Sequence, residues 1–519
     1  MMHSPSQTTC TASNARASRT VTMARLLTLA AALMPSFASA QDLRPKAPPQ
    51  DAPIAIMNAT IHPVTGPAIE SGFILFDRGI IKQIGPMPQP EGAKPGAAKP
   101  EGGKPEVAAA DRPVFSADTR LIDAKGLHVY PGLIASYSQL GITELASVRA
   151  SRDFNEAGGF SPEAIPLIAV NPDSTLLPVA RSNGVLLAGV FPSGGTIPGR
   201  VSVIRLDGWT WEQMGVVRDA GVVIQWPMTR VVRAWWMETP EEQQRENNRK
   251  NLSRLRDTLT EARDYARRAD LKDPTLKPDV RWEAMRAVFG AEGKPAQRPV
   301  FIQATDADQI MQALDVCREF AMRPILVGGH DAGAVADELK RQSVPVVITG
   351  VLDLPRRDDA PYDEHFTLPA RLQAAGLSYA ITSGEETPHE RNLPYAAAMA
   401  AAHGLSPELA IRAITLGPAE LLGIADRYGS LEVGKSATLI VTTGNPLEVR
   451  TRVRQAFIDG RTIDLRNKQT DLAEKYREKY RQMRDQPPQP VVPQAEPAPA
   501  APKLDAAKPD APKPDAPKP

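Results

Sequence analysis

Cysteine is almost absent from this chain: two in 519 residues, Cys10 and Cys317. If Cys10 leaves with an N-terminal leader, the remaining thiol has no partner, so an intramolecular disulfide is excluded and stability must come from a large core. An excess of charge of one sign is missing too. Against 61 Lys and Arg stand 60 Asp and Glu, a formal net charge of +1, which removes the bulk electrostatic case for nucleic acid or an anionic membrane as partner. No apolar run approaching about 20 residues follows residue 40, so a spanning helix is not expected. No cysteine sits beside the leader's end to carry a lipid, so no membrane anchor is expected.

What is present begins with 42% hydrophobic residues, enough for a sizeable core, and 50 prolines, unevenly placed. Residues 487–519 and 86–113 hold dense proline with Lys and Asp between, and no apolar periodicity. The first reads as a disordered tail and the second as a flexible surface insert. At the start, Arg16, Arg19 and Arg25 precede the apolar run Leu26 to Met34, and Ala38-Ser39-Ala40 follows. A basic start, an apolar middle and an A-x-A end read as a signal peptide over residues 1–40, cut to leave Gln41 first, so the protein is expected to be exported to a periplasmic or extracellular location. Met1 and Met23 both stand as candidate starts.

Residues 41–53 read as an extended, proline-rich lead-in. Short strand patterns between Ile54 and Tyr130, separated by Gly and Asp turns, form a small β unit that strand patterns within 426–467 complete. From 131 to 425 apolar strands alternate with helical segments, as in βα units around a parallel sheet. The eight strand candidates begin at Gly132, Val185, Val201, Val222, Val300, Ile325, Val346 and Tyr379, which suits an α/β (β/α)8 barrel. A doubly wound open sheet is the alternative. Within it, residues 240–271 place Leu252, Leu255, Leu259, Ala262 and Ala266 at three- and four-residue spacing, an amphipathic helix lying on the barrel. Residues 468–486 read as a charged helix.

Three stretches together resemble the amidohydrolase superfamily, in particular its imidazolonepropionase-like and dipeptidase-like branch. They are Leu121 to Gly141 (LIDAKGLHVYPGLIASYSQLG), the segment through Thr415-Leu416-Gly417-Pro418-Ala419 to Gly429-Ser430-Leu431-Glu432-Val433-Gly434-Lys435, and the strand-like run from Ser436 to Ile463. The resemblance implies a TIM-like barrel with a composite β-sandwich built from both ends of the chain. It also implies a hydrolase of non-peptide C–N bonds that uses zinc or another divalent ion to activate water.

The resemblance places the family's metal ligands, and this sequence departs from each. Ser136 and Ser138 stand where the family has a His-x-His pair, Gln303 and Gly328 where it has later histidines, and Gly384 where it has an Asp. A hydroxyl, an amide and two glycines do not hold zinc as imidazole and carboxylate do. No metal cofactor is therefore expected. His330 follows a strand directly and neighbours Asp331, so it is carried as a weak catalytic candidate, together with Asp331 and Glu385. Capping of the following helix is the plainer role for the pair. Ser136 with His330 and Asp331 lacks a nucleophile-elbow motif, and Ser193-Gly194-Gly195 reads as a plain turn rather than an anion cradle.

Three functions follow. The first is a degenerate amidohydrolase, a pseudoenzyme that binds a small molecule at the ligand-equivalent positions. The second is a working hydrolase with a non-standard site. The third is an envelope scaffold, as a homodimer or as the partner of an intact paralogue.

Overall fold

A computed structural model describes residues 41–87, 115–291, 293–356, 360–384 and 387–485. The leader, most of the proline-rich insert, Glu385 and the tail lie outside the described residues. Among those described, no helix is long and apolar enough to cross a membrane.

The chain first lays down β1 (Ile54–Ile61), β2 (Ile69–Asp77), β3 (Ile80–Pro86), β4 (Arg120–Asp123) and β5 (His128–Pro131). It then builds a second sheet of β6 (Leu133–Ser138), β7 (Val185–Val190), β8 (Gly199–Arg205), β9 (Gly215–Gln225), β10 (Val300–Ala304), β11 (Pro324–Gly328), β12 (Val346–Ile348) and β13 (Tyr379–Ile381). It returns to the first sheet with β14 (Leu439–Thr442), β15 (Val453–Ile458) and β16 (Arg461–Thr462). The first sheet runs β16-β15-β14-β5-β1-β2-β3, with β4 also paired to β1. Although β2 and β15 are far apart in that order, Phe76 and Phe457 meet edge to face at 5.2 Å. The sheet therefore curls over its own core of Ile56, Ile61, Ile74, Phe76, Leu439 and Phe457.

The second sheet runs in chain order from β6 to β13. Its strands are apolar on both faces, β7 being buried at all six positions, as a sheet covered by helices requires. Helices follow β10 to β13, and the one at Ala307–Glu319 is opened by a reciprocal capping box between Asp306 and Gln309. The two end strands meet through side chains: Ser136 Oγ donates to Ile381 O at 3.5 Å and Thr382 Oγ1 to Tyr137 O at 2.9 Å. The result is a TIM-like barrel with one departure from strict βα repetition: β8 runs antiparallel to both β7 and β9.

The segment Glu241–Asp270 is one 30-residue helix, which buries Leu255, Leu259, Ala262, Tyr265 and Ala266. The helix Lys468–Asp485 buries no residue and belongs to a second compact unit that begins at Gln469.

Candidate functional site at the barrel mouth

In a barrel of this kind the side chains at the C-terminal ends of the strands form the mouth where chemistry is placed. Ser136 and Ser138, expected to line it, are both buried, and their hydroxyls are committed to the backbone. Ser136 Oγ donates to Ile381 O, while Ser138 Oγ accepts from Leu140 N at 3.1 Å. The residue between them reaches across instead. Tyr137 Oη accepts from Gln303 Nε2 at 3.3 Å, and its ring leans on Phe191 at 4.8 Å, which meets Phe301 edge to face at 5.2 Å. Burial pushes the Tyr137 phenol above its ordinary pKa, opposed by the hydrogen bond from Gln303.

The two glycines occupy backbone that admits no ligand side chain. Gly328 has φ +102 and a Cβ there would lie 2.9 Å from Ala304 O. Gly384 has φ +68, and a Cβ there would collide with the backbone nitrogen of Gly350. A histidine or aspartate at either position would need a left-handed backbone and a shifted neighbour. The five ligand-equivalent positions thus do not fit a divalent ion. Among the described residues, no three His, Cys, Asp or Glu side chains are arranged to hold a metal as they stand.

His330 lies beyond the end of β11, 5% exposed. Its Nε2 faces Asp353 Oδ2 at 3.4 Å, from the loop after β12. Asp331, the sequence neighbour, does not orient that ring: its Oδ2 accepts from Ala307 N at 3.1 Å, at the start of the preceding helix. His365, in the first turn of the helix Glu364–Ala375, meets the His330 ring at 5.0 Å between centroids and 83° between planes. Neither nitrogen of His365 has a hydrogen-bond partner, nor has His330 Nδ1. The hydrogen bond with His330 holds the Asp353 carboxyl below its ordinary range. Burial, followed by the neighbouring His330, lowers His365.

Sequence reasoning found His330 but missed Asp353 and His365. The three are separated by 23 and 12 residues in the chain and share no motif; only the adjacency of β11 and β12 brings them together. Beside them, Ser383 Oγ donates to Glu390 Oε2 at 2.9 Å, both buried. Ser193 Oγ accepts from Gln139 Nε2 at 3.2 Å in a turn. A cavity of about 840 Å³ ringed by Arg298, Arg323, Lys340 and Arg412 lies among the starts of the strands, away from all of these groups.

The amidohydrolase family model matches residues 373–463. The chain is 23% identical over 379 residues to amidohydrolase tasK of Hapsidospora irregularis, an alignment that takes in 66% of this chain and 37% of that protein. The chain thus spans well under half the length of that curated relative. Among solved structures, the amidohydrolase of Thermotoga maritima MSB8 superposes with a TM-score of 0.65 at 22% identity, covering 80% of this chain and all of the other. The match to the amidohydrolase family model is thus confined to residues 373–463, while the barrel joined to a sheet made from both ends of the chain is similar in fold to the Thermotoga maritima amidohydrolase.

Proposed function

We propose that this chain is an exported amidohydrolase-type barrel in which metal-assisted C–N hydrolysis has been lost and the mouth binds a small polar molecule. Export rests on the leader pattern in residues 1–40. The loss of hydrolysis rests on one observation: all five ligand-equivalent positions have been put to other use. Two hydroxyls serve the backbone, Gln303 serves Tyr137, and Gly328 and Gly384 sit where a side chain collides.

The test is a panel of amides and cyclic imides offered to the protein produced from Gln41 onward, with and without added zinc or manganese. No turnover above buffer is expected, while native mass spectrometry should detect a retained small molecule that Gln303→Trp displaces. Turnover that persists through repurification and is lost in Gln303→Trp would overturn the reading.

One observation favours a working hydrolase instead. An imidazole facing a carboxylate at a barrel mouth, as His330 faces Asp353, is the arrangement of an oriented general base. In that case turnover would be abolished by His330→Ala and follow a single ionisation with pH.

A further inference from the structure

At the end of the barrel opposite the mouth, the beginnings of β9 to β13 surround a cavity of about 840 Å³, within the roughly 300–1,000 Å³ of small-molecule sites. Val217 and Ala220 of β9, Ile325 of β11, Val344, Leu377 and Leu421 give it apolar walls. Cations ring it: Arg298 just before β10, Arg323 just before β11, Lys340 from the helix Ala336–Arg341 and Arg412 from the helix Pro407–Arg412. Only two carboxylates, Asp219 and Glu420, share the lining, and both are already engaged. Asp219 Oδ2 accepts from Arg200 at 2.9 Å and also from Arg298. Glu420 accepts from Arg412 Nη2 at 2.7 Å and 2.8 Å, one bond to each oxygen. Two guanidinium groups on one carboxylate oxygen leave positive charge uncompensated, and burial followed by the nearby Arg200 lowers the pKa of Arg298. Arg323 and Lys340 have no ion pair or side-chain hydrogen bond among the described residues. The Lys340 ammonium is nonetheless folded against the cavity wall, since a Cβ at Gly376 would meet its Nζ at 3.5 Å.

We propose that this cavity binds an organic anion in which an apolar body carries a doubly charged head group, a phosphate monoester or a dicarboxylate. The apolar walls take the body, and the cations at the rim take the head. Planar guanidinium forks match phosphate and carboxylate oxygens, and an ammonium adds a point charge. Arg323 and Lys340 give up no existing partner to reach the ligand, and a second anion beside Arg298 offsets the charge that Asp219 alone leaves uncompensated. The near-zero net charge of the whole chain does not oppose this, because salt confines such fields to about 8–10 Å and only the local excess of four cations over two carboxylates is felt. The site stands at the far end of the barrel from Gln303 and His330, so it is independent of what the mouth binds or hydrolyses.

The test uses the chain from Gln41 to its C-terminus, titrated calorimetrically with phenyl phosphate, phthalate and inorganic phosphate at low salt. One equivalent of phenyl phosphate or phthalate is expected, bound about tenfold or more tighter than inorganic phosphate because the ring is buried. Whichever of the two binds tighter identifies the head group, and either result upholds the site. Affinity should fall by about tenfold or more in Arg323→Gln and in Lys340→Gln. Both side chains are exposed and unpaired among the described residues, so neither variant disturbs folding. Gln303→Ala at the mouth and Lys250→Gln on an exposed helix should leave the affinity unchanged. Absence of saturable binding below about 10 mM, inorganic phosphate as tight as phenyl phosphate, or affinity unchanged in both Arg323→Gln and Lys340→Gln would overturn the proposal. An equal loss in Lys250→Gln would overturn it as general charge attraction, and a loss in Gln303→Ala with Arg323→Gln unaffected would move the ligand to the mouth.

Discussion

His62 shows how much one residue's surroundings can decide. It directly follows β1, with its ring stacked on Tyr130 at 4.1 Å and its Nε2 3.1 Å from His128 Nδ1. Burial first, and then the neighbouring His128, lower its pKa from 6.5 to about 4. Between those two values the unfolded chain binds a proton that the folded chain refuses. Stability is therefore full above about pH 6.5 and falls as pH drops toward 4. His128 and His365 are shifted the same way by burial, so they steepen the loss. Because the His62 ring is only about half buried, solvent screening limits its share to no more than about 2 kcal/mol. Urea midpoints at pH 7, 5.5 and 4.5 should decline in that order, and His62→Phe should flatten the decline; an unchanged slope in that variant would remove His62 from the account. Cys317 makes a second residue-scale case. It is fully buried, and burial pushes its thiol up to about 12, so it should not react with a thiol reagent at pH 8 until the protein is unfolded. It sits on the buried face of the helix Ala307–Glu319. The partners of His330 are not legible in the sequence, because orientation by Asp353 and contact with His365 depend on which loops neighbouring strands bring together.

At the scale of elements, apolar spacing carries most of the information. The helix Glu241–Asp270 buries Leu255, Leu259, Ala262 and Ala266 on the face that their three- and four-residue spacing defines, and adds Tyr265, whose Oη donates to Glu283 Oε1 at 2.7 Å. Leu259 is fully enclosed. Leu259→Ala should therefore cost about 2–5 kcal/mol, the range for emptying a packed leucine site, whereas Lys250→Ala should change little, since its ion pair with Glu246 is exposed. Equal urea midpoints for Leu259→Ala and the parent chain would mean that the helix rests on the barrel without contributing to its stability. Strand direction was harder to read. All eight barrel strands are visible as apolar runs, yet the apolar pattern alone places β8 in a parallel series, whereas it pairs antiparallel with both neighbours. The connections from β7 to β8 and from β8 to β9 are too short to carry the crossover of a dozen or more residues that a parallel neighbour requires, so the antiparallel turn was encoded in a spacing that apolar pattern alone does not weigh.

At the scale of the whole molecule, the barrel and the composite sheet are tied by the first residues described. The segment 41–53, expected as an extended lead-in, has no regular strand before β1, but it is not a loose one. Asp42 N donates to Asp173 O at 2.6 Å, and Lys46 Nζ donates to Pro172 O at 2.9 Å and pairs with Asp173 at 3.1 Å, all on the barrel side. Ala47 N donates to Asp207 Oδ2 at 3.2 Å, and Asp207 is held in turn by Arg181 at 2.6 Å and by Arg461 at 2.8 Å, the last from β16 of the sheet. Gln50 completes the tie by donating to Phe76 O at 3.1 Å and accepting from Gly79 N at 2.9 Å. Asp42, Lys46, Arg181 and Asp207 are all buried, so each charge depends on the others, and removing one partner leaves an uncompensated charge in a poorly solvated place. Composition could not show this, because a proline-rich start reads as extended whether it is anchored or free. A chain that begins at residue 51 strips Asp42, Lys46, Ala47 and Gln50 from the network at once. It should unfold with a stability lower by at least about 2 kcal/mol and an unchanged urea m-value. Asp42→Ala in the longer chain should reproduce part of that loss, through Arg181, whose remaining carboxylate partner is Asp207. If the shortened chain has the midpoint of the longer one, the network lends no net stability and the first residues are held in place without holding the barrel to the sheet.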